Sequence, residues 1–185
     1  MNQRTNKPKH RKTWIWPIIV LILAISLSLL FGIASELVLN KSTIIVSFIV
    51  IFVFIALAIL TDMIGLAIAS AGIEDFNAMA ARKVKGSKQA ISLVKNADKV
   101  SSILNDVIGD VCGILSGAAG ANIVARIAIS SGGDFISILI SSLIAAIIAG
   151  LTIGGKSVFK KIAIKHSNSI TLAFAKFINF FTRKG

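Results

Sequence analysis

Four long apolar runs constrain this chain more than any other feature. They extend from about Trp14 to Leu39, Thr43 to Ile73, Ser101 to Ser130 and Phe135 to Ile153. A hydrocarbon core about 30 Å thick is crossed by roughly 20 residues of helix. Inside it a helix satisfies its own backbone hydrogen bonds. The expected fold is therefore all-α: a polytopic membrane protein with four transmembrane helices. Composition agrees, because 55% of the 185 residues are hydrophobic and only 15% are charged. Mean hydropathy is +0.86, too apolar for an ordinary soluble domain.

Charge then sets an expected sidedness. The formal net charge is +12, and the bases are clustered. All of the 20 Lys and Arg except Lys41 and Arg126 lie in the N-terminal tail, in the stretch 74–100, or from Lys156 onward. With four spans, these three segments share one side of the membrane. The positive-inside rule places that side, and both termini, in the cytoplasm. A multi-pass protein of a bacterial inner membrane is the expected location. Trp14 and Trp16 are expected at the interface, and the first run, too long for a signal core, reads as a retained helix.

Four segments follow: a basic tail 1–13, a first span 14–39, a core 43–157 containing a helical cytoplasmic loop 74–100, and a basic tail 158–185. In the loop, Ala78 to Lys85 and Ser87 to Val94 are good helix formers broken by Gly86. In the last tail, Ile170, Phe174, Phe177, Ile178 and Phe181 recur on one helical face. This predicts an amphipathic juxtamembrane helix lying on the membrane surface or packed against the bundle.

Two function classes are set aside. The basic residues are not interleaved with exposed aromatics, so nucleic-acid binding is not expected. The stretch GLTIGGKS, Gly150 to Ser157, fits the phosphate-binding pattern G-x-x-x-x-G-K-S. A P-loop requires a strand before it and a parallel sheet around it. Here the pattern lies at the exit of the fourth span, so no nucleotide is expected. Gly154 and Gly155 should end the helix, with Lys156 at the headgroups. His10 and His166 lie in basic tails, and no enzyme activity or resident cofactor is expected. Cys112, the single cysteine, reads as a buried packing residue.

The informative residues are carboxylates inside the spans, which cost a few kcal/mol each and default to a functional reading. Asp62 lies about 18 Å from the cytoplasmic edge of its helix, Asp110 about 16 Å, and Asp106 about 6 Å nearer that edge. Asp106 and Asp110, four apart, stack on one side, with Asn105, Gly109, Gly113, Ser116 and Gly117 in the same arc. The Gly109, Gly113, Gly117 ladder and the small face Gly65, Ala69, Gly72 should let spans two and three meet. Arg126 is about 24 Å from Asp110, and no base is expected at the level of the acids. The acids are then either neutral and hydrogen-bonded between helices, or they surround a cation. Hard oxygen ligands suit Mg²⁺ or Ca²⁺ and also bind Na⁺ or protons.

The stretch Ala80 to Ala121, containing KVKGSKQAISLVKNADKVSSILNDVIGDVCGILSGAAGA, resembles the transmembrane domain of the CorB/CorC and CNNM divalent-cation transporters. Asn96-Ala97-Asp98-Lys99 is similar to the family's N-P-E-R/K-like start of a core helix. Gly117 to Ala121 match its closing small-residue run. Gly155 to Lys160 with Ala163 to His166 look like its G-E-x-x-P-K exit and the segment that follows. The resemblance covers roughly residues 45–180. It implies a transported divalent cation, expected to be Mg²⁺, a homodimer, and alternating access. The cation ligands would be Asp62, Asn105, Asp106 and Asp110, with Gly109 as a backbone contributor. This chain departs from the pattern: Asp62 stands for Ser, Gly65 for a frequent Glu, Lys156 for Glu and Phe159 for Pro. It also has an extra first span, and no CBS-domain pair is seen, so ATP-linked regulation is not implied. The alternative is a non-transporting membrane scaffold or subunit built on the same bundle.

Overall fold

A computed structural model describes residues 15–39, 43–130 and 135–182. The tail 1–13, Trp14, the connections at 40–42 and 131–134, and residues 183–185 lie outside these. Among the described residues there is no strand. The described residues form eight α-helices: α1 Ile15–Leu39, α2 Ile44–Ser70, α3 Ile73–Ala81, α4 Ser87–Lys95, α5 Ala97–Ser102, α6 Asp110–Ser130, α7 Phe135–Lys165 and α8 Ser167–Thr182. A π-helical segment, Ile103–Gly109, joins α5 to α6. The protein is an all-α polytopic bundle with four helices long and apolar enough to cross a membrane: Ile15–Leu37, Ile44–Ser70, Ala97–Arg126 and Ile138–Lys165.

The spans are not equivalent. Half of the third span's most apolar window is buried inside the protein, against 6% for the first and fourth. Small residues explain this, because Ala119 and Gly120 let neighbours close in. A side chain at Gly120 would run into Ile148 of α7. Ile51 and Ile55 of α2, Ala119 and Ile123 of α6, and Ile148 of α7 form the intramembrane core. Cys112 is buried, as the sequence suggests. Helix α1 packs on α6 and the π segment, and its start is pinned by Lys99 over the Trp16 ring, 5.3 Å from the centroid. Such a contact contributes about 0.5–1 kcal/mol.

The loop between spans two and three is helical, with a boundary different from the one expected. Helix α3 stops at Ala81, and a turn with Lys83 at φ 57° leads to Gly86 at φ 88°. Gly86 is required there twice over: its backbone is left-handed, and an added β-carbon would stand 2.8 Å from Lys176 Cγ. The chain breaks from α2 into α3 at Ala71-Gly72, so Ile73 belongs to α3 rather than to the span. The Gly72 amide donates to Asn168 Oδ1 of α8 at 3.3 Å. Asn168 Nδ2 also donates to Asp75, and Gln89 Nε2 donates to Asn179 Oδ1 at 2.8 Å.

Helix α8 is thereby tied into a collar with α3 and α4, centred on Phe76, Ala90 and Ala175. The face it buries is Thr171 and Ala175, while Phe177 is 59% exposed. The Ile/Phe stripe, expected on the membrane surface or packed against the bundle, lies beside this face at Phe177, because the close fit against α3 and α4 takes the small residues.

Two expectations about the fourth span are corrected. Gly154 and Gly155 do not end it; α7 continues unbroken to Lys165. Glycine lowers helix propensity by about 1 kcal/mol relative to Ala, and packing outweighs this. Gly155 lies where α7 meets α2, and a side chain there would run into Ile59. The GLTIGGKS stretch is therefore helix throughout, with no strand before it. Lys156 is consequently carried inside the helix rather than at its exit.

Candidate functional site

Three spans each bring one charged residue to a common point. Asp62 comes from the last third of α2, and Asp110 is the first residue of α6, directly after the π segment. Lys156 comes from α7. The Lys156 Nζ lies 3.4 Å from Asp110 Oδ1 and 3.8 Å from Asp62 Oδ1. The side chains of Lys156 and Asp62 are each 26% exposed, and that of Asp110 is 63% exposed. The expectation that no base stands at the level of the acids is thus overturned. The unbroken α7 places Lys156 between two carboxylates that the sequence puts at one depth.

The arrangement lowers a large cost without cancelling it. A lone charge at the centre of a span costs about 3 kcal/mol on insertion scales. One ammonium shared by two carboxylates offsets part of this, and a formal negative charge remains. Asp106 adds another. It accepts a hydrogen bond from Ser102 Oγ at 2.8 Å and is exposed.

The five residues expected as ligands fall into two groups. Asp106 and Asp110 both line a cleft of about 720 Å³ between α1 and α6, together with Ser28, Gly32 and Glu36 of α1. Asp110 also lines a second cleft of about 800 Å³ between α6 and α7, shared with Lys156, Ser116 and Thr152. Asn105 and Gly109 instead turn toward α2. An added β-carbon at Gly65 would overlap the Asn105 amide, and one at Gly109 would stand 3.4 Å from Thr61 Oγ1 and 3.2 Å from the Leu104 carbonyl. The Asn105 Oδ1 is buried and accepts no hydrogen bond.

The division follows from helical spacing. Adjacent residues point about 100° apart, so Gly109 does not share the face of Asp110, and Asn105, four residues before Gly109, lies on Gly109's side. The glycine ladder divides as well. Gly109 is at the α2 contact, while Gly113 and Gly117 meet nothing within 4 Å and line the second cleft. On the α2 side, Gly65 is at the contact and Gly72 meets nothing within 4 Å.

Among the described residues, no three His, Cys, Asp or Glu side chains are grouped to hold a metal ion. A cation between α2 and α6 would need carboxylates from two spans supplemented by amide and backbone oxygens. Asn105 Oδ1 is an oxygen of that kind, buried and without a donor. Lys156 is the residue that sequence reasoning missed. Its signal was the segment after Gly155, where Val158, Phe159, Ile162 and Ala163 recur at helical spacing among the lysines and carry on the helix. In comparisons with known proteins, no family model, curated protein or solved structure matches the chain.

Proposed function

We propose that this protein is a CorB-like membrane transporter of divalent cations, with Mg²⁺ as its cargo. The observation that carries the reading is the convergence of Asp62 and Asp110, from two different spans, on a single positive charge. Intramembrane carboxylates are expensive and mark ion pathways by default. The orphaned Asn105 oxygen adds a neutral ligand of the hard type that Mg²⁺ prefers. Asp62, Asp110 and Asn105 would hold the ion, Asp106 would draw it through the α1–α6 cleft, and Gly109 would let the π segment offer backbone oxygens. The resemblance of Ala80 to Ala121 supports the same reading.

The wider assignments belong to this proposal. The collar of α3, α4 and α8 faces the cytoplasm of a bacterial inner membrane, as the clustering of Lys and Arg favours. The protein is a homodimer, in which a second copy covers the exposed Asp106 and Asp110 face of the π segment and α6 and keeps those acids from acyl chains.

Isothermal titration of Mg²⁺ into the purified protein, parent beside Asp62→Asn, tests the reading. Saturable binding that the substitution abolishes supports it. Absence of binding by a folded, monodisperse parent refutes it.

A second reading is favoured by the same ion pair. If Lys156 permanently satisfies Asp62 and Asp110, the cluster is a fastener between three spans and the protein is a non-transporting scaffold or subunit. Its mark would be a melting temperature in detergent that does not respond to Mg²⁺.

A further inference from the structure

We infer that Lys156 is a tethered stand-in for the transported cation: its ammonium fills the cargo position in the empty protein and must withdraw for a free cation to bind. The inference rests on the transport reading above and adds to it a residue that sets affinity and halves the formal negative charge of the Asp62–Asp110 pair when no cargo is bound.

Three observations carry it. The first is position. The Lys156 Nζ lies between the same two carboxylates, 3.4 and 3.8 Å away, that would hold the ion. A divalent ion on those oxygens would stand within a few ångströms of the ammonium, where repulsion is twice that of a unit-charge pair at the same separation. The two occupants exclude each other.

The second is a place to go. Lys156 lines the α6–α7 cleft of about 800 Å³, whose wall near it is Gly113, Ser116 and Thr152. The ammonium sits on a flexible four-carbon stem, and Gly113 and Gly117 leave open space on that wall. The ammonium can leave Asp62 by side-chain rotation into the cleft, with α7 held against α2 at Gly155 and Ile59.

The third is charge. With Lys156 in place, the Asp62–Asp110 pair keeps one formal negative charge. Without it and without cargo, the pair would hold two, in a span where each is costly. The tether therefore serves the empty protein, which has to exist between one cargo ion and the next. A contact made only for stability has no use for an adjoining cleft or for a residual charge.

The test compares parent, Lys156→Gln and Lys156→Arg as purified full-length proteins. Mg²⁺ binding is measured by isothermal titration, and melting temperature in detergent with and without Mg²⁺. Removing the competitor should tighten Mg²⁺ binding on the order of tenfold or more, while Lys156→Arg, which keeps a tethered cation, should bind like the parent. Lys156→Gln should also melt lower than the parent without Mg²⁺ and recover when it is added. That recovery keeps the test usable if the variant is weakened.

Equal affinity in parent and Lys156→Gln, with binding still lost in Asp62→Asn, overturns the tether and leaves the transport reading intact. So does a destabilised Lys156→Gln that Mg²⁺ fails to rescue while the parent binds. No Mg²⁺ binding by any of the three removes the transport reading and the tether with it.

Discussion

Gly65 and Asn105 compete for one volume: a β-carbon on the glycine would fall on the asparagine's amide oxygen. The second and third spans approach this closely only because one of them has no side chain there. Gly65→Ala should therefore cost about 1–3 kcal/mol through overpacking. Gly113→Ala is the control. It meets nothing within 4 Å and should be neutral, or stabilising by up to about 1 kcal/mol through helix propensity. Thermal unfolding in detergent, followed by circular dichroism, separates the two.

Asn105 separates stability from binding. Its buried Oδ1 has no hydrogen-bond donor, so the fold loses little when the oxygen is removed. Asn105→Leu, similar in size, should leave the melting temperature near the parent's or raise it. It should weaken Mg²⁺ binding on the order of tenfold, about the value of one good hydrogen bond to a charged group. A variant that melts normally and binds like the parent removes Asn105 from the site.

The three-way ion pair makes a prediction about coupling. Removing Lys156 alone strands two carboxylates, and breaking such a pair from one side costs about 3 kcal/mol. Asp62→Asn with Lys156→Gln leaves the same net charge as the parent. The double variant should be more stable than Lys156→Gln alone, with an interaction energy of about 1–3 kcal/mol in a double-mutant cycle. Simple additivity would mean that the ammonium and Asp62 do not act on each other.

The collar should yield separately from the bundle. Gly86 holds a left-handed backbone with Lys176 against it, and a β-carbon in that conformation costs about 1–2 kcal/mol. Gly86→Ala should loosen α8, seen as faster limited proteolysis between α7 and α8. The near-complete helix signal and the core of Ile51, Ile123 and Ile148 should be unaffected.

Much of this architecture is legible in sequence because bilayer thickness is a hard ruler. The four spans and the common depth of Asp62 and Asp110 follow from lengths and hydropathy, and the Gly86 break from helix propensity. Where sequence and structure part, tertiary packing overrides a local rule. Gly154 and Gly155 carry a helix-ending signal, yet Gly155 is there to admit Ile59, and the helix runs on. A helix ending at Gly155 would put Lys156 in the tail and leave the acids without a base. The π segment was equally hidden. An arc of about 140° holds Asn105 and Asp110 together in sequence, yet it is wide enough to face two different neighbours, and only the packing of Gly65 against Asn105 shows which side meets α2. The orphaned oxygen at Asn105 likewise depends on what Gly65 lacks, a relation between residues far apart in the chain.

The shared pair also bears on how the protein is made. Chains enter the bilayer in the order of synthesis, N-terminal portions first. Asp110 and Lys156 stand on the two arms of one hairpin, α6 and α7, 46 residues apart, and can be admitted together as a balanced unit. Asp62 belongs to the preceding helix and reaches the membrane before the lysine that answers it has been translated. The second span is thus an incomplete product until the fourth arrives, and a chain truncated after α6 should be a ready substrate for membrane quality control.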